Sequence, residues 1–124
     1  GDCRDLLPPP TRRASARQRV VAVAAGDIHG LAITANGAVW SWGGGYAGEL
    51  GHGDTQRQLL PKKVEAFADQ RVNAVAAGVA HSLAITADGS IFAWGEGETG
   101  CLGHGEDLSN QLLPKKIEVW APGQ

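Results

Sequence analysis

VVAVAAGDIHGLAITANGAVWSWGGGYAGELGHG, Val20 to Gly53, is answered 52 positions later by VNAVAAGVAHSLAITADGSIFAWGEGETGCLGHG, Val72 to Gly105. Ala24-Ala25-Gly26, His29, Leu31 to Ala35, Gly37, Trp42-Gly43 and Leu50 to Gly53 all recur at the same spacing. Self-similarity at a fixed period of this size marks a stacked repeat architecture, in which each unit buries its apolar face on a neighbour. The 124 residues therefore divide into the tail of a preceding repeat with a linker (1–19), a first repeat (20–71) and a second repeat with a last strand (72–124).

Each repeat reads as four short strands. Val20 to Ala25 is an apolar run closed by glycine, the pattern of a strand buried on both faces. His29, Leu31 and Ile33 then alternate with Gly30, Ala32 and Thr34. Asn36-Gly37, and Asp88-Gly89 in the second copy, predict hairpins with a type I′ turn. The return strand Ala38 to Trp42 places Trp40 and Trp42 on one face, as Phe92 and Trp94 repeat. A glycine-rich segment follows, in which several glycines are expected in left-handed conformations. LLPKKVEAF and LLPKKIEVW form the last strands, with proline expected at their start, where a missing donor does least harm. No segment has a helical period. The fold class is all-β: two four-stranded antiparallel blades of a β-propeller, since four-stranded units of roughly 50 residues are characteristic of radial assemblies.

Composition narrows the function classes. Eleven basic against thirteen acidic residues leave no electrostatic footprint for nucleic acid. No run of 18 apolar residues and no secretory segment is present, so neither a membrane helix nor a signal peptide is read. Cys3 and Cys101 do not recur between copies, because Glu49 stands opposite Cys101, and they read as incidental reduced thiols. An intracellular location, cytoplasmic or nuclear, is the expectation. The chain contains no methionine, and its opening GDCRDLLP aligns with GDTQRQLLP and GEDLSNQLLP, so it is expected to be a piece of a longer array. Two bare blade faces leave on the order of 10 kcal/mol of apolar burial unrealised at about 25 cal/mol per Å². The remaining blades of the same propeller, or self-association, are expected to cover them.

Ala76-Ala77-Gly78, His81 to Thr86, Asp88-Gly89, Trp94-Gly95, Gly100, Leu102-Gly103 and Pro114 to Ile117, with their counterparts in the first copy, resemble the regulator of chromosome condensation repeat family. The resemblance covers roughly residues 20–118. It implies a propeller of about seven blades, of which two lie here. It also implies a rigid disc displaying loops to other proteins. Family members include guanine-nucleotide exchange factors for a small nuclear GTPase, propeller domains of large ubiquitin ligases, ciliary scaffolds and a plant ultraviolet photoreceptor. Acidic residues in the loop between Gly26 and His29 contribute to exchange in that factor, and Asp27 matches that position. Val79 stands there in the second copy. The photoreceptor's tryptophan and arginine in this loop have no counterpart in Asp27-Ile28 or Val79-Ala80.

His29 and His81 read as buried, hydrogen-bonded histidines tying backbone together. His52 and His104 are expected to be exposed in their turns. The histidine pairs lie a whole repeat apart without recurring ligands, so no metal site and no cofactor is assigned. No catalytic residue is assigned either: Gly43-Gly44-Gly45 is followed by no Gly-Lys-Ser/Thr, and no nucleophile elbow is present. Trp42, Trp94, Gly37 and Gly89 are structural. The copies differ chiefly in loops, which supply the candidate partner-binding residues: Asp27, Tyr46 and Glu49 in one repeat, Glu96, Glu98 and Glu106 in the other. Tyr46 would be the aromatic anchor. The expected function is a non-catalytic protein-interaction scaffold. The alternatives are part of an exchange factor for a small GTPase, or the substrate-recruiting propeller of a ubiquitin ligase.

Overall fold

The computed structural model describes residues 19–98 and 102–118. Residues 1–18 of the tail and linker, with Cys3, and Cys101 fall outside the described residues. Eight strands follow in chain order: β1 Val20–Ala25, β2 His29–Thr34, β3 Val39–Gly43, β4 Gln58–Lys63, β5 Val72–Ala77, β6 His81–Thr86, β7 Ile91–Gly95 and β8 Gln111–Lys116. They form two four-stranded antiparallel meanders, β1-β2-β3-β4 and β5-β6-β7-β8, with the same registers. A 3-10 turn, Glu65–Phe67, replaces the end of the expected last strand of the first copy.

The apolar core lies between the two sheets. Leu31, Ile33, Val39 and Val64 from the first sheet meet Val72, Ala84 and Trp94 from the second. Phe67, delivered by the 3-10 turn, sits edge-on to Phe92 at 5.4 Å and tilted against Trp94 at 5.6 Å. Offset and edge contacts of this kind add to the burial of the rings themselves. Backbone bonds from Val72 N–H to the Gly37 carbonyl (3.0 Å) and from Gly53 N–H to the Leu112 carbonyl (2.9 Å) stitch the sheets at both ends.

Three local expectations are corrected. The strands over Val20–Ala25 and Val72–Ala77 are not buried on both faces; Val23 is 70 % exposed. An alanine-rich strand at one margin of a sheet has only one packed side unless other strands close over it. The hairpins are not type I′. Within these two turns only Gly37 and Gly89 have positive φ (84° and 88°), and among the described residues none other than glycine does. Gly37 N–H bonds the Thr34 carbonyl, and Thr34 N–H the Ala38 carbonyl. This is a three-residue loop, a type I turn closed by a left-handed glycine. The Asn36 side chain holds it by accepting from the Thr34 hydroxyl (2.5 Å), and Asp88 repeats the bond with Thr86. Finally, Pro61 lies within β4 rather than at its start. Pairing with β3 is irregular there, between Ser41 and Gly43, so the missing donor falls at a bulge on a sheet-margin strand.

Candidate functional site: a loop end built on an inter-sheet hydrogen-bond relay

Antiparallel order puts the β1–β2 and β3–β4 connections at one end of the first sheet, and the β5–β6 and β7–β8 connections at the same end of the second. This loop end collects every residue at which the copies were expected to be specialised. The inner turns are tight: Gly26 N–H bonds the His29 carbonyl (2.8 Å), and Gly78 N–H the His81 carbonyl (2.9 Å). Each histidine ring folds back over the glycine three residues before it, so a Cβ on Gly26 or Gly78 would strike the ring. That contact accounts for the recurring Ala-Ala-Gly-x-x-His. The outer loops are pinned to the inner ones by Gly44 N–H to the Ile28 carbonyl and Glu96 N–H to the Ala80 carbonyl.

Beneath the loops runs a relay of three hydrogen bonds between the sheets. His29 Nε2 lies 2.9 Å from Ser82 Oγ. Ser82 Oγ donates to the Glu49 carbonyl (2.7 Å), and Trp94 Nε1 donates to the same oxygen (2.8 Å). One carbonyl of the first sheet's loop therefore holds two side chains of the second sheet. A Cβ on Gly51 (φ 80°) would press on the Trp94 indole, so the close approach of loop to ring needs glycine there.

Glu49 is accordingly corrected. It does not belong to the exposed loop set, being 0 % exposed. Its Oε1 accepts the Ala47 N–H at 2.9 Å, while Oε2 is buried without a hydrogen bond. The sequence signal was its place immediately before the shared Leu50-Gly51, which belongs to the packed half of the loop. His52 and His104 are half-buried rather than exposed. His52 Nε2 meets Ser41 Oγ at 2.9 Å, and Ser41 also donates to the Leu50 carbonyl. Burial, reinforced by the Lys62 charge, lowers the His52 pKa. His104 Nε2 lies 3.3 Å from the Ala93 carbonyl. Ser82 and Ser41 are the residues that pattern reading missed; each is a polar residue at an inward-facing strand position.

The other candidates do face solvent. Asp27, Glu98 and Glu106 are exposed, and Glu96 is partly so. Tyr46 is 63 % exposed and Val79 61 %, with Ile28 at 42 %. The end thus combines scattered carboxylates with three large apolar side chains. In the second outer loop, Asp107 accepts from Lys115 (2.6 Å) and from Ser109, which hold its carboxyl far below the usual carboxylate range. Both partners of that ion pair are open to water, where such pairs contribute little to stability. Among the described residues no group of three histidine, cysteine, aspartate or glutamate side chains is placed to hold a metal. No helix of the described residues is long and apolar enough to cross a membrane.

The family model described as the regulator of chromosome condensation (RCC1) repeat matches residues 36–85 and 88–121, and a second model of the same description matches 20–49 and 72–101. The Ultraviolet-B receptor UVR8 of Arabidopsis thaliana is 42 % identical over 117 residues, 94 % of this chain and 26 % of the receptor. The human E3 ubiquitin-protein ligase HERC2 is 43 % identical over 99 residues, 80 % of this chain and 2 % of the ligase. Among solved structures, Prp20p from Saccharomyces cerevisiae, studied with its binding to Gsp1p and histones, superposes with a TM-score of 0.75 at 28 % identity. That match covers 83 % of this chain and 26 % of that one. The chain spans about a quarter or less of the length of these proteins.

Proposed function

Because the chain belongs to the RCC1 repeat family, we propose that its two blades act as a non-catalytic docking platform whose loop end receives another protein. The observation that carries this reading is the separation of the sequence into two classes. Most residues shared by the copies pack the sheets or hold turns, with Val23 and the Leu59-Leu60 pair of β4 as exposed exceptions. Residues that differ and reach solvent, Asp27, Ile28, Tyr46, Val79, Glu98 and Glu106, cluster at one end. A patch of exposed aromatic and aliphatic side chains among charges is the usual anatomy of a protein-recognition surface. Tyr46 supplies the anchor.

The test is capture of binding partners by the protein and by a Tyr46→Ala, Val79→Ser variant. Loss of a partner from the variant, with an unchanged unfolding midpoint, supports the platform. Partners retained in full by the variant refute it.

A second reading is favoured by one residue. Asp27 is exposed in the β1–β2 loop, and the likeness to Prp20p, studied with Gsp1p, makes a small GTPase a candidate partner. Nucleotide release from a panel of small GTPases tests it. Acceleration abolished by Asp27→Ala supports exchange through this loop; no acceleration at any concentration removes the reading. The similarity to HERC2 leaves substrate recruitment to a ligase as the third use of the same surface, with any transfer chemistry carried outside these residues.

A further inference from the structure

The relay beneath the loops determines where its protons sit. Ser82 has one hydroxyl proton, and the Glu49 carbonyl can only accept, so at 2.7 Å that proton points to Glu49. Ser82 Oγ is then an acceptor toward His29, and the proton of that 2.9 Å contact belongs to His29 Nε2. His29 Nδ1 is buried and has no hydrogen-bond partner. A bare ring nitrogen is tolerated there. A protonated one would be a charged donor in the interior, with no side chain bonded to it and only the His81 backbone carbonyl to favour its charge.

We propose that His29 is an acid-sensitive latch between the two blades: neutral, held as the Nε2–H tautomer by Ser82, and forced to release the joint when Nδ1 takes up a proton.

The surroundings offer the extra charge little relief. β1, β3 and β5 carry no ionisable side chain, and β2 carries only His29 itself. On β6 the one titratable group is His81, whose charge opposes a charge on His29, although its backbone carbonyl favours one. The loop residues Asp27 and Glu49 both hold carboxylates, and neither bonds to the ring: Glu49 Oε1 is engaged by Ala47 N–H, and Oε2 has no hydrogen bond. Burial is the dominant effect and lowers the His29 pKa. The direction of the linkage follows. A histidine whose folded pKa is depressed leaves the unfolded chain with more bound protons below about pH 6.5, so stability present above that pH drains away as the pH falls toward the folded pKa.

Gly30 occupies in the first repeat the place that Ser82 occupies in the second, so a blade meeting the other side of the first sheet finds no hydroxyl there.

Because burial lowers His52 as well, acid instability of the whole protein would not by itself single out His29. The experiment is therefore residue-specific: long-range nitrogen-edited NMR of the imidazole rings between pH 8 and 5, with urea unfolding of the protein and of His29→Gln over the same range. The expected results are an Nε2–H signature for His29 at pH 7.5, a protonation midpoint below that of free histidine, and a urea midpoint that falls more steeply with acid in the native protein than in His29→Gln. An Nδ1–H tautomer, a midpoint at or above the free value, or equal acid slopes would overturn the latch. Should His29→Gln fail to fold, Ser82→Ala replaces it. That change is expected to weaken the Nε2–H preference, and an unaltered tautomer would count against the proposal.

Discussion

The two blades are nearly the same sequence in different surroundings, and their tryptophans show what the surroundings do. Trp94 is 0 % exposed, sealed between sheets, with its indole N–H on the Glu49 carbonyl. Trp42, at the equivalent position of the first blade, is half-buried, and its ring lies over Gly30 where a Cβ would collide with it. Ser82, opposite Trp94 in the same register, coexists with an indole that has been drawn away toward the neighbouring loop. The other unshared face tells the same story: Ile85 is 42 % exposed, whereas Ile33, its counterpart in the first blade, is 2 % exposed against the second sheet. A repeat sequence thus encodes a wedge with two prepared faces, and burial is realised only where a second wedge meets it.

The largest test of this contrast is truncation of the paired tryptophans. Trp94→Ala is expected to cost about 3–5 kcal/mol, the range for emptying a buried aromatic site. Trp42→Ala should cost about 1–2 kcal/mol, for partial burial. Urea unfolding measures both, and equal losses would mean that the first blade's outer face is as well packed as the joint.

Next in size is the relay. Ser82→Ala strands the His29 N–H and should cost about 1–3 kcal/mol. The reciprocal change, Gly30→Ser, requires the Trp42 ring to move off the strand and should shift its fluorescence. An unshifted emission would show that the ring was never held there.

The hairpin glycines give a smaller difference. Gly37 and Gly89 share positive φ, so alanine at either strains the backbone by about 1–2 kcal/mol. A Cβ at Gly37 would also strike Arg71, whose guanidinium donates to the Ala35 carbonyl at 2.7 Å, whereas a Cβ at Gly89 meets nothing within 4 Å. Thermal melts should therefore rank Gly37→Ala below Gly89→Ala.

The smallest effect is one of pH. Asp88 caps the second hairpin, and bonds from the Thr86 hydroxyl and the Ser90 N–H lower its pKa. A depressed carboxylate contributes stability that is intact above its unfolded pKa and is lost as the pH falls through the folded one. Asn36 holds the first hairpin without a titrating group. Hydrogen exchange at Ser90 should therefore quicken in acid relative to Ala38, and parallel profiles would remove the carboxylate from the account.

Much of this architecture was legible in the residues. Turn chemistry at Asn36-Gly37, the alternation His29-Leu31-Ile33 and the 52-residue echo are local or periodic signals, and they led to the meanders, their order and the family. The site was legible only in part. Asp27, Tyr46, Glu98 and Glu106 lie exposed on loops, as loop differences between copies suggested. Glu49 looked like the same kind of residue and is buried, because its role is set by a carbonyl aimed at a strand 33 residues further on. The turn type was misjudged for a related reason: side-chain acceptors at Asn36 and Asp88 favour the type I loop over the mirror-image turn that the dipeptide suggests.

The sequence by itself determined a duplicated four-stranded wedge, since hydrophobic period, glycine placement and repetition act over a few residues at a time. Only the tertiary structure decided which tryptophan is sealed, which carboxylate is hidden and which histidine nitrogen holds the proton. Those outcomes depend on what faces each side chain across the joint, and two copies of one motif face different neighbours.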